Sequence, residues 1–186
     1  MNLKCEILEN VNLKEYNTYR IEATCKYMAL PKSIKEVTEV INYCLHKDVA
    51  YFVLGNGSNV ILDGTFNGIV INMKNLNRAE LVSPTDIIAY SGIMMPKLVK
   101  FAVKNNLQGL EWASGIPGTL GGGIYGNCGA YNDDIYHYLK EIIVLHNGKI
   151  EHIKADKIYH DYRKTFFEGK RKYLIIAAHL SLEPGN

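Results

Sequence analysis

Eight of the chain's 16 glycines fall between residues 109 and 132, at 109, 115, 118, 121, 122, 123, 126 and 129, around Pro117 and the single tryptophan, Trp112. Glycine loses more backbone freedom on folding than any other residue, so this density marks a place where something must come close to the main chain. Pro117 suits the first turn of a helix, and the small residues of 118–126 let a helix N-terminus lie against an anion. Free N–H groups and the helix dipole favour negative charge there, which makes a phosphate-bearing cofactor the natural ligand. A tight helix–sheet crossing or a mobile glycine loop would use the same residues. The neighbouring Glu111-Trp112 reads as cap and core.

A second glycine loop, Gly55-Asn56-Gly57-Ser58-Asn59, is followed directly by the apolar run Val60-Ile61-Leu62. In a dinucleotide-binding Rossmann unit the glycines lead into a helix; here they sit between two strand-like runs, so that fold is excluded. A P-loop is excluded too, because no glycine is followed by the Lys-Ser or Lys-Thr that reaches phosphate and magnesium. What remains is a loop whose N–H groups, with the Ser58 hydroxyl and Asn59 amide, can form a nest for phosphate oxygens, or else a plain hairpin turn. His146, His152 and His160 lack the short spacing of a zinc site, and no metal site is expected.

The elements that must position these loops follow from periodicity. Tyr27-Met28-Ala29-Leu30 reads as a strand ending at Pro31. Ser33-x-x-Glu36 is a capping box, and Ile34, Val37, Ile41, Cys44 and Leu45 repeat at helical spacing as far as Lys47-Asp48. Tyr51-Phe52-Val53-Leu54 is a buried strand, giving the strand–helix–strand opening of an α/β unit that Gly68-Ile69-Val70-Ile71 closes. The asparagine-rich residues 72–77 mark a domain boundary, placing one domain at 1–72 and a second at 73–186. Beyond it, 80–82 and 87–90 read as a hairpin, and Pro96 opens a helix with Leu98, Val99, Ala102 and Val103 on its apolar side. Residues 141–146 and 149–153 flank Asn147-Gly148, a strong hairpin signal, and 173–182 is a final strand.

With 186 residues, 47% hydrophobic and 22% charged, the chain has the make-up of a globular protein with an ordinary core. The net charge of +2 is spread along the chain, with no basic cluster interleaved with aromatics, so a nucleic-acid partner is not expected. No run approaches the roughly 18 apolar residues of a membrane span, and the opening MNLKCEILEN has no signal-like apolar region; the expected location is the cytoplasm, with no membrane partner. Cys5, Cys25, Cys44 and Cys128 are far apart and form no C-x-x-C pair, which fits reduced thiols.

Taken in order, Asn17-Thr18-Tyr19-Arg20, Leu54-Gly55-Asn56-Gly57-Ser58-Asn59, Ser114-Gly115-Ile116-Pro117-Gly118-Thr119-Leu120-Gly121-Gly122, Asn127-Cys128-Gly129-Ala130-Tyr131 and Tyr162-Arg163-Lys164-Thr165 resemble the bacterial UDP-N-acetylenolpyruvoylglucosamine reductase family. The resemblance covers nearly the whole chain. It implies an α+β, two-lobed FAD-binding fold of the UDP-N-acetylenolpyruvoylglucosamine reductase and PCMH type, not Rossmann, whose two α/β subdomains clasp a non-covalent FAD. It also implies NADPH as hydride donor, a UDP-sugar substrate, and a place in peptidoglycan synthesis as the step that makes UDP-N-acetylmuramate. Carried over by motif, Gly55, Asn56, Gly57, Ser58 and Asn59 together with Ser114, Gly115, Ile116, Gly118, Thr119 and Gly122 would hold the cofactor. Tyr162 would join them, and Arg163 would be catalytic, stabilising charge on the enolpyruvyl carboxylate. Taken alone, Arg163 would read as a surface ion pair.

The chain departs from that family in length. The resemblance places a proton-donating serine, an assisting glutamate and much of the UDP-sugar site on a further C-terminal domain, with no counterpart before Asn186. Thr165 stands where the family usually has serine, and Asn132-Asp133 where it has paired glycines. The expectations are therefore a flavin-dependent NADPH oxidoreductase impaired on its own, its missing part supplied by another domain or partner, or a flavin-binding module without that reaction. Other flavoproteins of the same two-lobed fold are a third possibility.

Overall fold

A computed structural model describes residues 3–185, and the chain divides into two units, Met1–Leu76 and Asn77–Asn186. In the first, β1 (Glu6–Asn12) and β2 (Thr24–Leu30) pair antiparallel. After α1 (Ile34–Lys47), β3 (Tyr51–Leu54) and β4 (Thr65–Asn72) complete a sheet of order β1-β2-β4-β3, in which β4 runs parallel to both neighbours. Gly68 apart, the inner half of β4 is the unbroken apolar run Ile69-Val70-Ile71, buried throughout as a strand covered on both faces must be. Cys25, Met28, Leu54 and Val70 form one apolar cluster with Leu13 and Ala23.

Helix α1 starts where the sequence places it. Ser33 Oγ accepts from the Glu36 amide at 3.2 Å, while the Glu36 carboxylate accepts from the Lys32 amide at 2.7 Å, one residue before the N-cap rather than at it. Val37, Val40, Ile41 and Cys44 are buried, but Leu45 is half exposed, at the edge of that stripe. The expected strand at 60–62 does not form. Because β3 and β4 are parallel, residues 55–64 cannot be a hairpin and must carry the chain back along the sheet. Val60 and Leu62 turn toward the core and Ile61 is 83% exposed.

The second unit is built on a sheet of order β11-β10-β14-β6-β5. Its strands are β5 (Ala79–Leu81), β6 (Asp86–Tyr90), β10 (Leu139–His146), β11 (Lys149–Lys154) and β14 (Tyr173–Ser181). All neighbours are antiparallel. Between β6 and β10 the chain forms α2 (Met95–Lys104), β7 (Leu107–Gln108), α3 (Leu120–Tyr125), β8 (Gly129–Ala130) and β9 (Asp133–Asp134). Beyond β11 come β12 (His160–Asp161) and β13 (Lys164–Thr165), and β15 (Glu183–Pro184) pairs back onto β7.

Both hairpins expected from sequence are present, and Asn147 (φ 48°) with Gly148 (φ 76°) makes the turn with both central residues left-handed. Helix α2 has Pro96 in its first turn and buries Met95, Leu98, Val99 and Ala102; Val103, expected among them, is 58% exposed. The expectation for Pro117 is also corrected. It lies two residues before Thr119, the N-cap of a six-residue helix, and not in the first turn.

Across the large sheet, Asp86 accepts from Lys140 Nζ at 2.9 Å and from Ser83 Oγ at 2.7 Å. These bonds hold its carboxyl below the usual carboxylate range. A folded-state value depressed in this way contributes stability above the unfolded value near pH 4, and loses it as pH falls through the folded one. Lys140→Met should therefore lower the melting temperature at pH 7, with a gap to the parent protein that starts to narrow below about pH 4 and closes only as the lower folded-state value is passed. Ser33→Ala should cost about 1 kcal/mol in urea unfolding through loss of the α1 cap.

Candidate functional site

In the first unit the loop at 55–59 is shaped by its neighbour at 16–20. Asn17, 4% exposed, donates its amide to the carbonyls of Leu13 (2.8 Å) and Ile21 (3.0 Å) and accepts from the Ile21 amide at 3.1 Å. One side chain thus closes the whole turn. The Thr18 amide then donates to the Gly57 carbonyl at 3.1 Å. Gly57 itself is left-handed (φ 65°), and a Cβ there would stand 2.3 Å from the Tyr16 carbonyl oxygen. Its lack of a side chain is explained by this loop-to-loop contact. Gly55, Asn56 and Ser58 are part-buried and Asn59 is exposed. A polar cavity of about 300 Å³ beside them is lined by Asn17, Thr18, Arg20, Asn56 and Lys74, with Glu15 and Tyr16.

In the second unit the glycine-rich stretch divides into glycines that the fold requires and glycines that it does not. Residues 118–121 lie backbone to backbone against 91–95: Met95 N donates to Gly118 O (2.9 Å), Leu120 N to Ile93 O (2.8 Å) and Gly121 N to Ser91 O (2.8 Å). A Cβ on Gly121 would lie 2.7 Å from Ser91 Cβ, and one on Gly123 2.7 Å from Cys128 Sγ. By contrast, nothing lies within 4 Å of a Cβ built on Gly115, and only Thr119 Oγ1, at 3.5 Å, is near one on Gly122. Ser114, Gly115 and Gly122 are exposed, Ile116 and Gly118 part-exposed, and Thr119 is buried, its hydroxyl accepting from the Gly122 amide at 3.4 Å. Here the main chain is open, and no packing within the protein accounts for the missing side chains.

Tyr162 and Arg163 form the turn between β12 and β13, with Arg163 left-handed at φ 57°. Both are exposed, Tyr162 to 83%. The Arg163 guanidinium stands 5.6 Å from the Tyr162 ring centroid and donates Nη2 to the Gly129 carbonyl at 2.9 Å. Among the described residues it makes no salt bridge. Thr165 Oγ1 donates to the Tyr125 carbonyl at 2.6 Å and accepts from the Phe167 amide at 3.2 Å. Those two bonds need a hydroxyl and nothing more, so threonine serves where the resembled family has serine. Burial pushes the Cys128 thiol up to about 12, the Arg163 charge opposing and Asp134 adding to the rise.

Some polar contacts had no sequence signal. Asp133 accepts from the Tyr138 hydroxyl at 2.5 Å and bonds His137 Nδ1 at 2.7 Å. The Asp133 bond raises the histidine's pKa, against burial. Asn127, a motif residue to which the sequence assigns no role, is buried and left-handed. The three histidines weighed as ligands lie apart: His146 stacks on Tyr173, His152 bonds Glu141, and His160 stacks on Tyr136. Among the described residues no group of three or more His, Cys, Asp or Glu is placed to hold a metal, and no helix is long and apolar enough to cross a membrane.

The FAD binding domain family matches residues 25–154 of this chain. UDP-N-acetylenolpyruvoylglucosamine reductase from Clostridium novyi (strain NT) is 34% identical over 98% of this chain and 60% of its own length. That from Clostridium tetani (strain Massachusetts / E88) is 35% identical over 95% of this chain and 58% of its own. The chain thus spans about 60% of the length of the curated relatives it matches. Among solved structures, UDP-N-acetylenolpyruvylglucosamine reductase from Thermus caldophilus superposes over 99% of this chain and 64% of that one, with a TM-score of 0.81 at 24% identity. An alkyldihydroxyacetonephosphate synthase superposes over 89% of this chain, with a TM-score of 0.69 at 18% identity.

The division of the glycines can be checked on the protein without ligand. Gly121→Ala should destabilise by about 1–3 kcal/mol, because α3 must move off Ser91. Gly122→Ala should leave the melting temperature unchanged or raise it, since alanine is the better helix residue by up to about 1 kcal/mol. Equal losses from both would contradict the division. The matched segment takes in both glycine loops and more than half of the sequence, and the chain belongs to the FAD binding domain family, resembling within it the UDP-N-acetylenolpyruvoylglucosamine reductases.

Proposed function

We propose that Gly55, Asn56, Gly57, Ser58 and Asn59, with Ser114, Gly115, Ile116, Gly118, Thr119 and Gly122, hold FAD, and that Arg163 and Tyr162 stand at the reacting end of the cofactor. The observation that carries this reading is the open backbone at Gly115 and Gly122, where neighbouring glycines are filled by the protein itself. Main chain bared by missing side chains lets the phosphates of a dinucleotide come close to it. Gly57 contributes indirectly, by letting its loop lie against residues 16–17.

The reaction that best fits is that of the relatives' name: reduction of the enolpyruvyl group of UDP-N-acetylenolpyruvoylglucosamine, with NADPH as the source of hydride. FAD, when bound, would supply hydride transfer from a nicotinamide to a carbon–carbon double bond. Arg163 is the residue of this chain suited to the carboxylate on that bond. Its charge is permanent, it is exposed, and no salt bridge among the described residues competes for it. It offsets negative charge and does not deliver the proton, because a guanidinium does not release one near neutral pH. Proton delivery and the wider grip on the UDP-sugar fall to other residues or to a further domain or partner.

FAD titration, followed by visible absorbance and by thermal shift, should give saturable binding. Gly115→Val and Gly122→Val should weaken it at least tenfold while the ligand-free melting temperatures stay close to that of the parent, because the added side chains fill the cradle and not the core. A protein that neither turns yellow nor gains stability with FAD would remove the reading. Anaerobic mixing with NADPH should bleach the bound flavin; a flavin that stays oxidised while remaining bound would favour a binding module over a reductase.

A further inference from the structure

We infer that Asn127 is a positioning residue for Arg163: its buried amide fixes the β12–β13 turn so that the guanidinium is held in one place. This rests on the reading of Arg163 given above. Residues 125, 127 and 129, alternate positions from the last residue of α3 onward, each grip the hairpin. The Tyr125 carbonyl accepts from Thr165 Oγ1 at 2.6 Å, Asn127 Nδ2 donates to the Asp161 carbonyl at 3.0 Å, and the Gly129 carbonyl accepts from Arg163 Nη2 at 2.9 Å. Asp161 and Lys164 face each other across the two-residue turn, so the Asn127 bond lands on the residue immediately before Tyr162 and Arg163.

Stability alone would not select asparagine here. The backbone is left-handed at φ 45°, where glycine has no steric penalty. The side chain is 4% exposed, and its Oδ1 is buried with no hydrogen-bond partner among the described residues, which costs free energy that glycine would not incur. Turning the amide over gives no relief, since an oxygen would then face the Asp161 carbonyl. What asparagine adds over glycine is the bond to Asp161. That bond matters because Arg163 is otherwise an exposed side chain on a two-residue turn, tied at its tip by one hydrogen bond.

Asn127→Gly tests this directly, because it keeps the left-handed backbone and removes only the amide. The first readout needs no cofactor. The Phe166 amide, bonded to the Tyr159 carbonyl at 2.7 Å across the hairpin's base, should exchange about five- to tenfold faster, with β10 and β14 as protected as in the parent. The second is the midpoint potential of bound flavin. Arg163→Ala should lower it, Asn127→Gly should lower it less, and in the Arg163→Ala background Asn127→Gly should add nothing. Unchanged Phe166 exchange would overturn the proposal, as would an equal potential shift with and without Arg163. If the parent protein takes up no FAD, the functional reading fails and the exchange experiment still decides whether Asn127 holds the turn.

Discussion

The backbone of residues 118–121 lies directly against that of residues 91–95, and the second unit's candidate site is built outward from that contact. Three main-chain hydrogen bonds cross it, and Gly121 meets Ser91 where any other residue would push the chains apart. Such an approach satisfies buried peptide groups that would otherwise lack partners. It also sets Thr119 where its hydroxyl caps α3, and it leaves Gly122 on the opposite, open side of the same turn. Exposure of the cradle is therefore a by-product of how firmly its other face is held. The helix is too short to be stable alone and exists because it packs on β14 and β6.

Left-handed residues do comparable work elsewhere. Asn127, Tyr131, Asn132, Asn147 and Arg163 all have positive φ in the second unit. Asparagine tolerates this region better than most residues because its short polar side chain can bond locally, and it is used where a turn must also carry an amide. At Tyr131 and Arg163 the conformation belongs to two-residue hairpin turns, where positive φ matches the twist of the flanking strands. Each sits at the tip of a two-stranded turn with its side chain exposed.

The first unit reaches a similar end by other means. A single buried amide, Asn17, closes the 13–21 turn, and that turn supports the glycine loop through the Thr18–Gly57 bond. The motif residues at 17–20 thus act on the loop at 55–59 from 39 positions away in sequence. Sequence likeness pairs the two motifs only as neighbours in a list; the hydrogen bond gives the pairing a cause.

Local rules were enough for much of this protein. The α1 cap at Ser33, the Pro96 start of α2, the Asn147-Gly148 turn and the β5–β6 hairpin all follow from side chains acting within a few residues of themselves. The motif order carried the resemblance to a flavoprotein family, and with it the residues proposed for the site. Tertiary structure decided the rest. Whether 60–62 forms a strand depends on β4 running parallel to β3, which no feature of that tripeptide encodes. Which glycine is spent on packing and which is left open depends on what lies opposite each, Ser91 for Gly121 and Cys128 for Gly123, and sequence assigns all of them the same freedom. Asn127 and Asp161 are 34 residues apart, and only the folded chain brings the amide to the carbonyl it holds.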